Sequence, residues 1–147
     1  MRLNLQTDFA LRTLMHLAIN TERRVTISEI SETFGISRNH LMKVALALSH
    51  EGLVATERGR AGGLSLARAA SDILVGDVVR RMEGNAALVE CFPGGAGGCR
   101  ISPACRLRGA LAEALEAFFA SLDSYSIADL VRGNAPLHDL LAMGESA

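Results

Sequence analysis

The feature that most narrows the fold is a run of helix punctuation between residues 26 and 52. Thr26-Ile27-Ser28-Glu29 matches a capping box, in which threonine and glutamate side chains satisfy the unpaired N–H groups of a helix start. That helix stops at Gly35, and Ser37 opens another only two residues later. Leu41, Val44, Leu46 and Leu48 carry the second helix to about Glu51, before Gly52 ends it. A short helix, a tight turn containing Gly35 and a second helix make a helix-turn-helix. Leu53-Val54-Ala55-Thr56 then reads as a short strand, Arg58-Gly59-Arg60-Ala61-Gly62-Gly63 as a basic turn, and Leu64-Ser65-Leu66 as the returning strand. A helix-turn-helix followed at once by a hairpin is the order of a winged helix.

A helix from about Thr7 to Ile19 precedes this unit, with Phe9, Leu11, Leu14, Met15, Ala18 and Ile19 at helical spacing. Val75 to Glu83 is another helix, capped near Asp72. Gly84 to Ala104 breaks the pattern, with glycines 94, 95, 97 and 98 and prolines 93 and 103. An irregular stretch of this length inside a compact domain is usually functional or disordered. From Cys105 a long helix runs to about Leu122. Its Leu107, Leu111, Leu115, Phe118 and Leu122 form an apolar stripe suited to a partner helix, and Ala110, Ala114 and Ala117 let a neighbour approach closely. Ser126-Ile127-Ala128-Asp129 caps a short helix, Pro136 starts a last one, and the tail frays at Gly144. The fold class is mainly α with a small β-hairpin wing.

A formal charge of -1 on 147 residues by itself argues against a nucleic-acid binder. The distribution reverses that argument. Residues 1–74 hold nine Arg and Lys against seven Asp and Glu, whereas residues 75–147 hold six against nine. Between residues 37 and 68 stand Arg38, Lys43, Arg58, Arg60 and Arg68, opposed only by Glu51 and Glu57. A hydrophobic content of 49% excludes disorder of the whole chain. No apolar run approaches the roughly 18 residues of a membrane span, and Met1-Arg2-Leu3-Asn4 opens no signal peptide, so a cytoplasmic protein is expected.

Ser37-Arg38-Asn39-His40 begins the candidate recognition helix, where N-terminal residues meet base edges. Ser37 caps the helix, Arg38 suits a guanine edge, Asn39 an adenine edge, and His40 and Lys43 the backbone phosphates. Arg58 and Arg60 at the wing tip suit a narrow minor groove, and Gly62 and Gly63 let the backbone approach the duplex. The other histidines, His16, His50 and His138, are read as ordinary helix or surface residues.

Cys91, Cys99 and Cys105, all the cysteines of the chain, fall within fifteen residues. An odd number argues against a disulfide framework. Thiolates on such a loop can wrap a metal centre. A structural zinc site asks for four ligands in close pairs, which this spacing lacks. An iron–sulfur cluster also usually takes four, leaving the fourth to a histidine, a carboxylate, water or a group from a second subunit. Three inert thiols, or a metal-free thiol switch, are the other readings. No G-x-G-x-x-G accompanies the cysteines to support a redox enzyme with a nucleotide cofactor, and no enzymatic activity is expected.

Taken together, several segments resemble the iron–sulfur winged-helix repressor family that includes NsrR, IscR and RirA. They are Met1-Arg2-Leu3 with Thr7-Asp8-Phe9-Ala10-Leu11-Arg12, Ser37 through Val44, and Arg58 through Leu64. To these add Cys91 with Cys99 through Leu107, and Tyr125 through Val131. The resemblance implies a homodimer held by the long C-terminal helix, a winged helix that binds double-stranded operator DNA, and a cluster near the dimer interface. It divides the chain into a DNA-binding domain (1–74), a linking helix with the cluster loop (75–104), and the dimerisation helix with its tail (105–147).

The recognition helix and Ile101-Ser102-Pro103-Ala104-Cys105 are most similar to the nitric-oxide-sensing NsrR branch. That branch implies a [4Fe–4S] cluster, with [2Fe–2S] as the alternative, held by Cys91, Cys99, Cys105 and Asp8 of the partner subunit. The IscR branch implies a histidine three residues past the last cysteine, where this chain has Arg108. The first cysteine gap resembles the iron-responsive RirA branch, which departs from this chain at the aspartate.

Overall fold

The computed structural model describes residues 1–142, so the expected fraying at Gly144 lies outside the described residues. The helices are α1 (Leu5–Ile19), α2 (Ile27–Phe34), α3 (Arg38–His50), α4 (Val75–Glu83), α5 (Arg106–Asp123), α6 (Ile127–Val131) and α7 (Ala135–Ala142). Strands β1 (Val54–Glu57) and β2 (Gly63–Leu66) form the wing. The winged-helix order read from the sequence is the order found.

Local signals explain most element ends. The capping box at Thr26 and Glu29 is complete, and Gly35 closes α2 in the left-handed conformation at φ 65°, which costs glycine little. Ser37 accepts the His40 N–H at 3.2 Å to start α3. Several ends differ from expectation, among them β2, which begins at Gly63 rather than Leu64, and α7, which begins at Ala135 rather than Pro136. α1 begins at Leu5 rather than Thr7, because the Asn4 side chain accepts the Thr7 N–H at 2.7 Å. Leu53 lies before β1, buried, and its carbonyl accepts the Ala67 N–H at 3.0 Å. Asp72 sits in a short 3-10 turn (Ala70–Asp72) and does not cap α4, whose cap position is Leu74. Cys105 is the cap residue of α5 rather than its first turn.

β1 and β2 pair antiparallel, from Val54 opposite Leu66 to Glu57 opposite Gly63. Val25 adds one antiparallel bridge to Leu64, with N–H···O distances of 2.9 and 2.7 Å, so the wing is pinned to the segment before α2.

The core surrounds α1, which packs against α3, α4 and α6. Leu14, Leu17, Leu41, Val44, Leu48, Val78, Val79 and Ile127 are buried there. Burying such side chains contributes about 1.5–3 kcal/mol each. Residues from the C-terminal third return to this core: Ile127, Ala128, Val131 and Leu141 are all buried. Backbone bonds from Val75 N–H to Tyr125 (2.9 Å) and from Ile127 N–H to Ile73 (2.8 Å) stitch that return in place.

α5 behaves differently, since none of its residues is buried. It rests on α4, with Phe118, Phe119 and Leu122 partly buried, while Leu107 at its other end is 63% exposed. No helix among the described residues is long and apolar enough to cross a membrane.

Candidate nucleic-acid interface and cysteine loop

α3 divides its residues between two faces. Leu41, Val44, Ala45 and Leu48 are buried, whereas Arg38, Asn39, His40, Met42, Lys43 and Leu46 are exposed. Among the described residues, no hydrogen bond or ion pair engages the side chains of Arg38 or Lys43. The same holds for Arg58 and Arg60 at the wing tip. Arg12, Arg24, Arg80 and Arg81 instead meet carboxylates at 2.5–2.7 Å. The chain therefore neutralises these four cations internally, while those of α3 and the wing are among the ones left available to an anion. Leu46, counted from sequence among the apolar residues carrying α3, is 62% exposed, and Met42 is 59% exposed. The apolar character of Leu46 suggested core; the structure places it on the exposed side of α3.

The wing glycines have a demand of their own. A Cβ at Gly62 would collide with the Glu57 carbonyl oxygen, and one at Gly63 would lie 2.8 Å from that of Val25. Both glycines are thus needed for the hairpin to close, whatever approaches it. Arg24 braces the tip, meeting Glu57 at 2.5 Å and the Ala61 carbonyl at 3.4 Å.

α1 meets the start of α3 through an aromatic contact that the sequence does not announce. The Phe9 and His40 rings lie 6.0 Å apart, over a small groove of about 210 Å³ lined also by Leu5, Gln6 and Lys43. One residue earlier, both oxygens of Asp8 accept from Arg12, at 3.1 Å from Nε and 2.7 Å from Nη2. The Arg12 guanidinium in turn stands 5.9 Å from the centre of the Phe9 ring. Asp8, Arg12, Phe9 and His40 are thus linked by successive contacts.

Cys91, Cys99 and Cys105 are free thiols, all half-buried. Short turns join the last two: the Ser102 N–H donates to Cys99 at 3.2 Å, and the Cys105 N–H donates to Ser102 at 3.4 Å. The loop is folded tightly on itself. A Cβ at Gly94 or Gly95 would collide with the carbonyl of Asn85 or Glu90, and the Gly97 N–H donates to Glu90 at 2.9 Å. Cys105 lines a concavity of about 500 Å³ together with Phe92, Pro93, Pro103 and Arg108.

Among the described residues, no three of His, Cys, Asp and Glu gather closely enough to hold a metal ion. The thiols share a loop but no common ligand position within one chain, and Asp8 is engaged by Arg12. The donor chemistry nonetheless fits iron–sulfur coordination: three unpaired soft thiols on one loop, one of them at the cap position of α5. The remaining histidines take other places. His16 is buried with its ring 5.9 Å from Phe34, His138 lies 3.0 Å from the Val131 carbonyl, and His50 ends α3.

Comparison with known proteins agrees with this architecture. T. potens IscR superposes with a TM-score of 0.70 over 90% of this chain and 87% of its own, at 25% identity. The oxidized form of Staphylococcus aureus CymR superposes with a TM-score of 0.72 over 90% and 97%, at 21% identity, a likeness of fold. In sequence, the HTH-type transcriptional regulator NsrR of Geobacillus kaustophilus (strain HTA426) is 45% identical over 142 residues, covering 96% of this chain and 97% of that protein. The pattern of the Rrf2 family, described as an iron-dependent transcriptional regulator, matches residues 3–133. With the winged helix and its unpaired cations already in view, the chain belongs to the Rrf2 family of transcriptional regulators and is not an enzyme.

Proposed function

We propose that this protein is a homodimeric, operator-binding repressor that holds an iron–sulfur cluster and releases DNA when nitric oxide reaches it. The observation that carries the DNA-reading half is the exposed start of α3, where cations without internal partners flank Asn39 and His40. Ser37 fixes the helix start, Arg38 and Asn39 face base edges, and His40 and Lys43 take phosphates. Arg58 and Arg60 enter the minor groove, with Gly62 and Gly63 closing the hairpin that presents them. α5, with no buried residue and Leu107 at 63% exposure, pairs with its copy in a second subunit.

The nitric-oxide reading rests on the 45% identity to NsrR and on Asp8. Cys91, Cys99, Cys105 and Asp8 of the partner subunit would hold the cluster, [4Fe–4S] in preference to [2Fe–2S]. When bound, the cluster supplies iron that takes nitric oxide, with the carboxylate as its hardest and weakest donor. Asp8 then has two alternative partners, the partner subunit's thiol loop and its own Arg12. Its return to Arg12 draws on a guanidinium that already faces Phe9, and Phe9 carries His40 of the reading helix. Asp8 held across the interface would thus favour one arrangement of α1 against α3, and Asp8 engaged by Arg12 another.

Anaerobically purified protein tests this by its visible spectrum, iron content and gel shifts, with and without nitric oxide. A coloured, iron-containing dimer whose DNA binding is lost on adding nitric oxide is the expected result. A colourless, metal-free dimer that binds DNA equally under all conditions would sink the sensor. Release by an iron chelator but not by nitric oxide would transfer the signal to iron supply. Asp8→Ala should leave a cluster that reacts differently with nitric oxide, and unchanged reactivity would remove Asp8 from the mechanism.

A further inference from the structure

Met42 and Leu46 have no role in the reading above, yet they are among the most exposed large apolar side chains, at 59% and 62%. Both lie outside the buried stripe of Leu41, Val44, Ala45 and Leu48, along one flank of α3. Positions 38, 42 and 46 follow the i, i+4 spacing that stacks side chains along one side of a helix, so Arg38 heads the strip. Lys43 stands beside it, exposed and without an internal partner.

We infer that Met42, supported by Leu46, reads thymine methyl groups in the major groove of the operator. This deepens the DNA-reading assignment and rests on it. The charges decide the occupant. An apolar protein partner seated on this strip would bury Arg38 and Lys43 without counter-charge, which is costly. A nucleic-acid duplex supplies phosphates for both cations. In the major groove the thymine C5-methyl is the apolar feature that distinguishes one base pair from another. Methionine, unbranched and polarizable, adapts to a methyl surface whose position varies by fractions of an ångström. Arg38 one turn earlier meets the polar edges of neighbouring bases, so the two residues read adjacent positions by different chemistry.

The test uses full-length protein purified anaerobically so that any bound metal is retained. Duplexes enriched from a random library supply the probe, which is then synthesised with deoxyuridine replacing each thymidine in turn. Deoxyuridine keeps the base pair and removes only the methyl group. Wild-type protein should lose about fourfold in affinity at particular thymines of each half-site, the factor expected for one buried methyl group. Met42→Ala should bind the parent duplex more weakly, become indifferent to deoxyuridine at those positions, and keep the wild-type salt dependence. Met42→Leu should restore the methyl sensitivity. Because Met42 is exposed, the circular dichroism of both variants should match the wild type. Equal wild-type affinity for every deoxyuridine probe, or an undiminished methyl penalty in Met42→Ala, overturns the inference. Failure to enrich any duplex overturns the DNA-reading assignment itself, and this inference with it.

Discussion

Asp129 illustrates how one side chain secures the C-terminal return to the core. It accepts from the Ser126 backbone N–H at 2.8 Å and from the Ser126 hydroxyl at 2.9 Å, and these bonds hold its carboxyl below the ordinary carboxylate range. A depressed folded-state pKa means that the unfolded chain takes up the proton first. The stabilisation is therefore present above the unfolded value and is lost as the pH falls through the folded one. Urea titrations at pH 7 and near pH 3 should show it: Asp129→Asn lowers the midpoint at pH 7 and lowers it by less near pH 3. An equal deficit at both pH values would refute this role. Asp8 works differently, since its engagement with Arg12 follows the i, i+4 rule and both side chains are 40% exposed. An exposed pair of that kind contributes little stability and leaves the carboxylate free to exchange partners.

Among the elements, α2 shows how much a short helix depends on its ends. It has eight residues, and only Ile30 is buried. Isolated helices this short are marginal, so the capping box and the turn at Gly35 carry unusual weight. Thr26→Ala removes the acceptor for the Glu29 N–H, now at 3.1 Å, and should cost about 1 kcal/mol. The expected signature is a lower urea midpoint with an unchanged slope; a changed slope would mean that α2 had detached altogether. The elements of the reading head were legible in sequence because their determinants are neighbours. Thr26 and Glu29, Ser37 and His40, and the glycines of the wing act over a few residues. α1 starts earlier than read because Asn4 caps it, and Asn4 is itself tied to Glu83, its N–H donating at 2.9 Å across 79 residues.

For the whole molecule, the decisive joint is where α5 meets α4. Arg80 donates to both oxygens of Asp123 at 2.8 and 2.7 Å and to Asp77 at 3.3 Å, and its guanidinium lies 4.7 Å from the centre of the Phe119 ring. Hydrogen bonding to Arg80 holds the Asp123 carboxyl below its usual range. A Cβ at Gly76 would collide with the Asp123 carboxylate, so α4 admits the joint only because residue 76 is glycine. If α5 pairs two subunits, this joint sets the angle between their reading heads. Those heads must match half-sites about 34 Å apart. Arg80→Ala should then leave half-site recognition intact but move the affinity ratio between the preferred operator and one lengthened by a base pair toward one. An unchanged ratio, measured by fluorescence anisotropy, would assign the spacing to other contacts.

The sequence by itself determined the winged helix, the grouping of three thiols on one loop and the clustering of cations between residues 37 and 68. Each is a matter of residues close together along the chain. The tertiary structure decided what depends on distant residues or on direction. It docked α6 against α1 and seated α5 through Arg80 and Asp123, 43 residues apart. It also turned Leu46 outward, although it was counted in sequence with the apolar residues carrying α3, and left Met42 exposed beside it. Hydrophobic identity records a tendency to be buried, and only packing settles which face of a helix remains open.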